Sequence, residues 1–595
     1  MKISKIYSNK KAEFNDIEFN EEFNVVLAEI KIPENRGKDT HNLGKSKLME
    51  LIDYCLLKKR SNDFFLFKYF DTFKDFVFFL EFKLNSGGYL TVRRAVSKNT
   101  KISIKRHKEK HQDYRFSDES FWDYYDITID KAKLILDAEF NLRRISPWDY
   151  RTATNYALRS QKDFGDIFKL SNFLGRHIYW KPYLGRVFGF NAEILERNYD
   201  LAKDIETYED NLISLKEEVG HILGDEEEVL NSLLKVKIKE ADDFQDKIDR
   251  FDFDKEDVEA INRLVEDIDS ELSDLNSVRY YLSSNIKKLK DTVDKSNIDF
   301  RVSQAKRLFD EAGVLFEGQI EKTYSELIEF NEKITSERKG YVYSRIEELE
   351  ENLEKVKAAC KDLNLERSKK ISYLGEMNTF DKYKEATGTL IKLRTEISEL
   401  HRKLTLSEKI KEVNNKIREA STEKEYIVDC IRSNREEIIK SEESIYHAIK
   451  ENFLDFVESV LDKIGYISTT QNGEGNLEFY AGIMSNKGEQ TGESDGYSYK
   501  KILCMGYDLA VNLAYSDSQF IRFLYHDGGL ETLDNRKKIE FLKYVRSVTK
   551  HSGIQYILTV IDTDLPPNFN FKDSEVAVRL HDDGYQGRLF KMKSW

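Results

Sequence analysis

Gly44-Lys45-Ser46 opens an amphipathic run, Lys47 to Ile52, after a strand-like segment, Asn24 to Ala28, and a charged loop. Strand, loop, GKS and helix form the setting in which N–H groups at a helix start cradle a β-phosphate. There Lys45 reaches the β/γ oxygens and Ser46 ligates Mg²⁺. The first glycine of the GxxxxGKS pattern would fall at position 39, which is Asp39. Aspartate tolerates left-handed φ better than most residues, with its charge turned from the phosphates. A second chemistry-bearing element lies far along the chain. Phe520 to Tyr525 is a mostly apolar strand that runs through His526 into Asp527, and Asp534 follows seven residues later. A helix (Lys537–Thr549) and a buried strand (Gln555–Ile561) complete a βαβ-like order.

Residues 76–106 read as a β-meander with a basic far end: Arg93, Arg94, Lys98, Lys101, Lys105 and Arg106, then Lys108 and Lys110. A strand edge protected by lysines and a patch for phosphate backbone both fit. Residues 120–190 are aromatic, with arginines interleaved. Within them Gln161 could face a metal, or simply pack.

The middle of the chain must bring these distant elements together. The only prolines are Pro33, Pro147, Pro182, Pro566 and Pro567, so nothing from Asn191 to Phe456 is barred from a helix. Apolar residues there step by three and four. The runs are Ile205 to Ile222, Ile261 to Leu275, Ile346 to Leu363 and Leu393 to Leu404, with Glu, Lys, Asp and Asn between them. A two-in-seven stripe with charged flanks predicts a coiled coil, where an ordinary bundle needs a wider apolar face. The seam breaks at Leu308 to Gly340, a glycine-containing aromatic cluster suited to an apex. Two arms of ~100 residues would each span up to ~150 Å and return the C-terminal part to the N-terminal part.

Composition narrows the class. Formal charge is −13, so any nucleic-acid contact must be a local patch. Charged residues at 34% beside 40% hydrophobic residues fit coiled coil plus globular parts, not disorder. The four cysteines are scattered without a CxxC pair, which predicts a reducing compartment and no zinc. MKISKIYSNKK is no signal peptide, and no apolar run is long enough to span a membrane, so a cytoplasmic protein is expected.

Taken together, the chain resembles the SMC/RecN/SbcC class of ABC-type ATPases. Within that class it is similar to the shorter-armed YydD-like proteins of ABC-three-component and Lamassu-type defence systems. Asn24–Ala28 with Asn42-Leu43-Gly44-Lys45-Ser46-Lys47 matches the first strand and Walker A. Leu308–Val314 resembles the subfamily's apex. The segment Ser494, Gly496, Ser498 stands where the ABC signature lies, and Asp527 and Asp534 keep the spacing of the Walker B and D-loop aspartates. The resemblance implies an α/β fold: an ATPase head split between lobes 1–190 and 457–595. It also implies a long antiparallel coiled-coil hairpin, with arms 191–300 and 341–456 and an apex at 301–340. ATP would be held by the residues named, with Mg²⁺ on Ser46 and Asp527.

The resemblance further implies head-to-head homodimers, binding of double-stranded DNA or its ends, and a small accessory subunit with a separate nuclease-type effector. The pattern departs at three places. Gly528 stands where most relatives carry the catalytic glutamate, Ile561 or Asp562 where they carry the switch histidine, and the LSGGQ-like signature is not intact. Glu531 and His526 are then the nearby candidates for orienting water. A DNA-repair or chromosome-maintenance ATPase and a scaffold with a vestigial nucleotide site are the competing expectations.

Overall fold

The computed structural model describes residues 1–595 except 33, 35–42, 174, 176, 220–226, 250–257, 296–342, 370–376, 485–495, 568 and 594–595. Asp39, Asn42, Ser494 and the expected apex at 301–340 lie outside the described residues. The N-terminal segment supplies β1 (Lys2–Ser8), β2 (Ile17–Glu18) and β3 (Phe23–Glu29). Both edges of β3 are taken by strands from the other end of the chain. β12 (Gln555–Ile561) runs parallel on one side, with Tyr556 opposite Phe23 and Ile561 opposite Ala28. β13 (Val576–His581) runs parallel on the other. β11 (Phe523–His526) and β8 (Leu158–Arg159) complete a parallel sheet of order β13-β3-β12-β11-β8. Every residue of β12 is buried, as a central parallel strand covered on both faces requires. The loops after β3, β8, β11 and β12 therefore open at one end of the sheet, where ligands bind in such folds.

A second, antiparallel sheet has the order β2-β1-β4-β5-β6-β7. It contains β4 (Val77–Lys83), β5 (Tyr89–Ala95), β6 (Lys101–His107) and β7 (Tyr124–Thr128). β9 (Ile464–Gln471) and β10 (Leu477–Met484) form a separate hairpin.

Helices cover these sheets. α1 (Lys45–Cys55) follows Gly44; α2 (Ile129–Phe140), α3 (Tyr150–Ala157) and α4 (Lys181–Val187) follow the antiparallel sheet. In the central part come α5 (Ala192–Val219), α6 (Glu227–Asp249), α7 (Val258–Lys295), α8 (343–369) and α9 (Met377–Lys440). The C-terminal lobe adds α10 (Ile445–Leu461), α11 (Tyr497–Ala514) and α12 (Asn535–Ser552). α10 and α11 pack so closely that a Cβ on Gly506 would lie 2.3 Å from the Phe456 ring.

Two units result: Met1–Ala202 with Thr422–Trp595, an α/β head, and the helical Lys203–Ser421. The head takes in the bases of both expected arms. In the helical unit the apolar stripes pair antiparallel. Leu230 and Leu234 pack with Leu400 and Leu404, Ala241 with Leu390 and Leu393, and Ile286 with Ile346. Leu272 packs with Cys360, and beside them Asp269 and Arg367 form a largely buried ion pair at 2.8 Å. Tyr281 also holds the Arg402 guanidinium 5.1 Å from its ring centre. With Leu230 beside Leu404, a straight two-helix rod would carry residue 281 about 75 Å past residue 402. The α7–α8 pair therefore lies back along the α6–α9 pair. Among the described residues, no helix is long and apolar enough to cross a membrane.

Cysteines introduced as Tyr281→Cys and Arg402→Cys should be joined within one chain by a short bis-maleimide, read as a mobility shift on a denaturing gel. Failure to join them while the chain remains folded would contradict the folded-back helical unit.

Candidate nucleotide site

α1 begins at Gly44, which takes left-handed φ of 95° and has no side-chain cap, leaving its first N–H groups to an external partner. The tail of the chain braces this turn. Leu589 N donates to the Leu43 carbonyl at 3.0 Å, and a Cβ on Gly44 would sit 2.7 Å from Leu589 Cβ. The segment leaving β3 is held as well: Ile30 N donates to Asp562, and Lys31 N and Ile32 N donate to Asp582. Asp562, one of the two residues expected at the switch-histidine position beside Ile561, thus tethers backbone.

Lys45 is 4% exposed, and among the described residues its ammonium has no hydrogen-bond partner. Its nearest carboxylate oxygen is Glu531 Oε1, at 4.0 Å. Burial pushes its pKa down, opposed by Glu531, Asp527 and Asp564. An orphaned buried ammonium is costly unless a ligand completes it. Polyphosphate oxygen is the partner a lysine at a helix start takes.

Asp527, at the end of β11, is buried and accepts from Thr559 Oγ1 on β12 at 2.6 Å; Thr559 in turn accepts from Gly528 N at 2.7 Å. The next turn is unusual. Gly528 and Thr532 both have φ of 68°, and for β-branched Thr532 this costs about 1–3 kcal/mol. The turn throws Glu531 back towards Lys45. A Cβ at Gly528 would lie 2.8 Å from Glu531 Oε1 and 2.6 Å from Gln161 Nε2, and that amide donates to Glu531 at 3.0 Å. The space of a side chain at position 528 is filled by a carboxylate from three residues on. Burial pushes the Glu531 pKa up, while Lys45 and Lys501 hold it down.

Gln161 thus belongs to the site, placed by β8, which pairs with β11. Thr559, Lys501 and Asp564 belong there too, and no local motif marks them. For Mg²⁺, the first-turn hydroxyl of Ser46 and the Asp527 carboxylate are a hard-oxygen donor set that fits the ion.

The other expected site residues scatter. His526 is fully buried, with Nε2 3.0 Å from Asp508 and Nδ1 bonded to Tyr556 OH. Burial pushes its pKa down, against the pull of Asp508. Its ring is spent on the interior, which corrects its expected reach to water. Arg159, also fully buried, grips the same Asp508 at 2.6 and 2.9 Å. Lys47 pairs with Glu50 along α1. Asp534 caps α12 by accepting from Lys537 N, Gly496 precedes α11, and Ser498 Oγ donates to the Thr532 carbonyl.

The basic patch is largely neutralised. Neighbours on a strand face opposite ways, so Arg94 points inward where Arg93 points outward. Arg94 is 0% exposed and donates to the carbonyls of Tyr54, Lys58 and Asn99, which corrects its assignment to DNA. Arg93 pairs with Asp126, Lys105 with Asp123 and Arg106 with Glu139; Lys98 and Lys101 are exposed.

Residues 456–594 match DUF2326, a family described as an uncharacterised protein conserved in bacteria. No curated protein matches the sequence. Among solved structures, the chain is similar to the Smc head domain with a coiled coil and joint from Pyrococcus yayanosii, at 14% identity and TM-score 0.32, over 94% of this chain and 92% of that one. It is also similar to the Smc head domain with an extended coiled coil bound to the C-terminal domain of ScpA from Pyrococcus furiosus. There the identity is 11% and the TM-score 0.34, over 95% and 90% of the two chains.

Asp508→Ala would leave the Arg159 guanidinium buried and unpaired. The head should lose roughly 3–5 kcal/mol, read by denaturant unfolding, whereas a loss under 1 kcal/mol would show that the network carries little of the fold.

Proposed function

We propose that this chain is an SMC-like ATPase whose head binds ATP through Gly44, Lys45 and Ser46 and hydrolyses it slowly. The buried ammonium of Lys45, facing Asp527 and Glu531 and without a hydrogen-bond partner among the described residues, is the observation that carries the reading. Ser46 and Asp527 would hold Mg²⁺, which when bound supplies positive charge to the phosphate oxygens. Phosphoryl transfer depends mostly on positioning and charge stabilisation. Lys45 meets both needs, and the raised pKa of Glu531 suits it to accept a proton from water. Gln161 holds that carboxylate in place. The stand-in from position 531 in place of a residue at 528 accounts for a slow rate, because its reach depends on a strained turn.

In this reading two heads close over two nucleotides, each P-loop facing the partner's 494–498 segment, and Asp534 lies near the junction. Head closure controls DNA contact, for which Lys98 and Lys101 are the accessible cations of the β5–β6 edge. The chain senses DNA or its ends, and a separate nuclease-type effector with a small accessory subunit responds, as in Lamassu-type defence. Gly528 and Asp562 favour the scaffold reading instead, since each replaces a group that hydrolysis ordinarily uses.

ATP turnover by the purified chain with linear DNA, closed circular DNA and none decides between them. Turnover should rise with linear DNA, vanish in Lys45→Ala, and fall about 100-fold or more in Glu531→Gln, on the scale of a lost general base. Equal background rates in all proteins would sink the ATPase reading.

A further inference from the structure

α11 grips the turn that carries Glu531. Lys501 is 1% exposed, and its ammonium donates to the carbonyls of Gly528 at 3.0 Å and Glu531 at 3.2 Å. Ser498 stands three residues earlier, on the same face of the helix, and donates to the Thr532 carbonyl at 3.0 Å. Lys537, in the first turn of α12, sets its ammonium 3.9 Å from the ring centre of Tyr499. Two residues near the start of α11, Ser498 and Lys501, thus fasten one short loop, while Tyr499 and Lys537 tie α11 to α12. That loop contains two left-handed residues, Gly528 and Thr532, and local preference alone does not hold a β-branched residue there. On its other side the same loop presents the Glu531 carboxylate to Lys45 and Gln161.

Packing does not account for Lys501. A methionine would fill the volume without burying a cation, and among the described residues this ammonium donates to main-chain carbonyls, not to a carboxylate. Its burial lowers its pKa, so the charge is kept against a desolvation penalty. The return on that penalty is the position of two carbonyls that flank the residue facing Lys45.

We propose that Lys501 is a positioning residue that locks the Gly528–Glu531 turn and so aims the Glu531 carboxylate at the nucleotide site. Movement of the first turns of α11 is thereby transmitted to Glu531, with Ser498 as an auxiliary tether. This rests on the nucleotide reading given above.

Hydrogen exchange on the full chain without nucleotide tests the tether by itself. In Lys501→Met the amides of 528–533 should exchange roughly tenfold faster than in the parent, with a smaller change in Ser498→Ala and none in Lys45→Ala. Turnover then tests the consequence. Lys501→Met should lower kcat about tenfold with KM for ATP nearly unchanged, and the double variant with Glu531→Gln should be no slower than Glu531→Gln alone. Unchanged exchange in the loop, or losses that multiply in the double variant, would overturn the proposal. Absence of turnover in the parent removes the nucleotide reading, and the exchange result then judges the tether on its own. The half-buried Ser498→Ala variant, which removes only one hydroxyl, keeps the test valid if Lys501→Met fails to fold.

Discussion

The backbone of β3 is hydrogen-bonded on both edges by strands more than 500 residues away, and everything else in the head depends on that pairing. Neither lobe owns a complete parallel sheet. The N-terminal lobe contributes β3 and β8, the C-terminal lobe β11, β12 and β13. An unstructured connection of that length would add to the entropy of closing the sheet, a cost that grows slowly with length. The helical unit Lys203–Ser421 replaces a floppy loop with antiparallel packing that brings the two ends back. Once β12 lies between β3 and β11, Lys45 at the start of α1 and the acidic turn after β11 are brought together.

The charge arrangement follows from this geometry. Lys45 and Lys501 bring two ammonium groups into a site whose acids are Asp527, Glu531 and Asp564; burial shifts Lys45, Lys501 and Glu531, and neighbours of opposite sign steady them. Lys501 finds carbonyls, while Lys45 finds no hydrogen-bond partner among the described residues. In the proposed reading, the difference separates a cation that holds the loop from one that a nucleotide would complete. Gly528 takes on a second meaning here. Its left-handed φ permits the turn that returns Glu531, so the glycine and the displaced carboxylate form a single structural solution.

Much of this was legible in the chain itself. Gly44-Lys45-Ser46 between a strand and a helix, and the apolar strand ending in Asp527, are local patterns with period and chemistry built in. The paired stripes of the helical unit also follow from heptad spacing. What escaped was long-range. Thr559 is brought to the site only because β12 lies beside β11, and Gln161, which the sequence offers as a metal-facing or a packing residue, meets Glu531 only because β8 pairs with the same strand. Arg94 reads as a surface cation until β5 turns it inward onto three main-chain carbonyls. His526 sits next to Asp527 in sequence, but the alternation of a strand sends neighbouring side chains to opposite faces, and Asp508 and Tyr556 claim its ring. The folding back of α7 and α8 along α6 and α9 has no local signal at all.

The most direct test of the central claim is calorimetric titration of Mg·ATP into the purified chain and into Lys45→Ala. Saturable binding near one nucleotide per chain is expected, weakened roughly tenfold to a hundredfold by the substitution, the scale of losing hydrogen bonds from a charged donor. No binding by the parent, or equal binding by both proteins, would show that the buried ammonium of Lys45 is not waiting for phosphate.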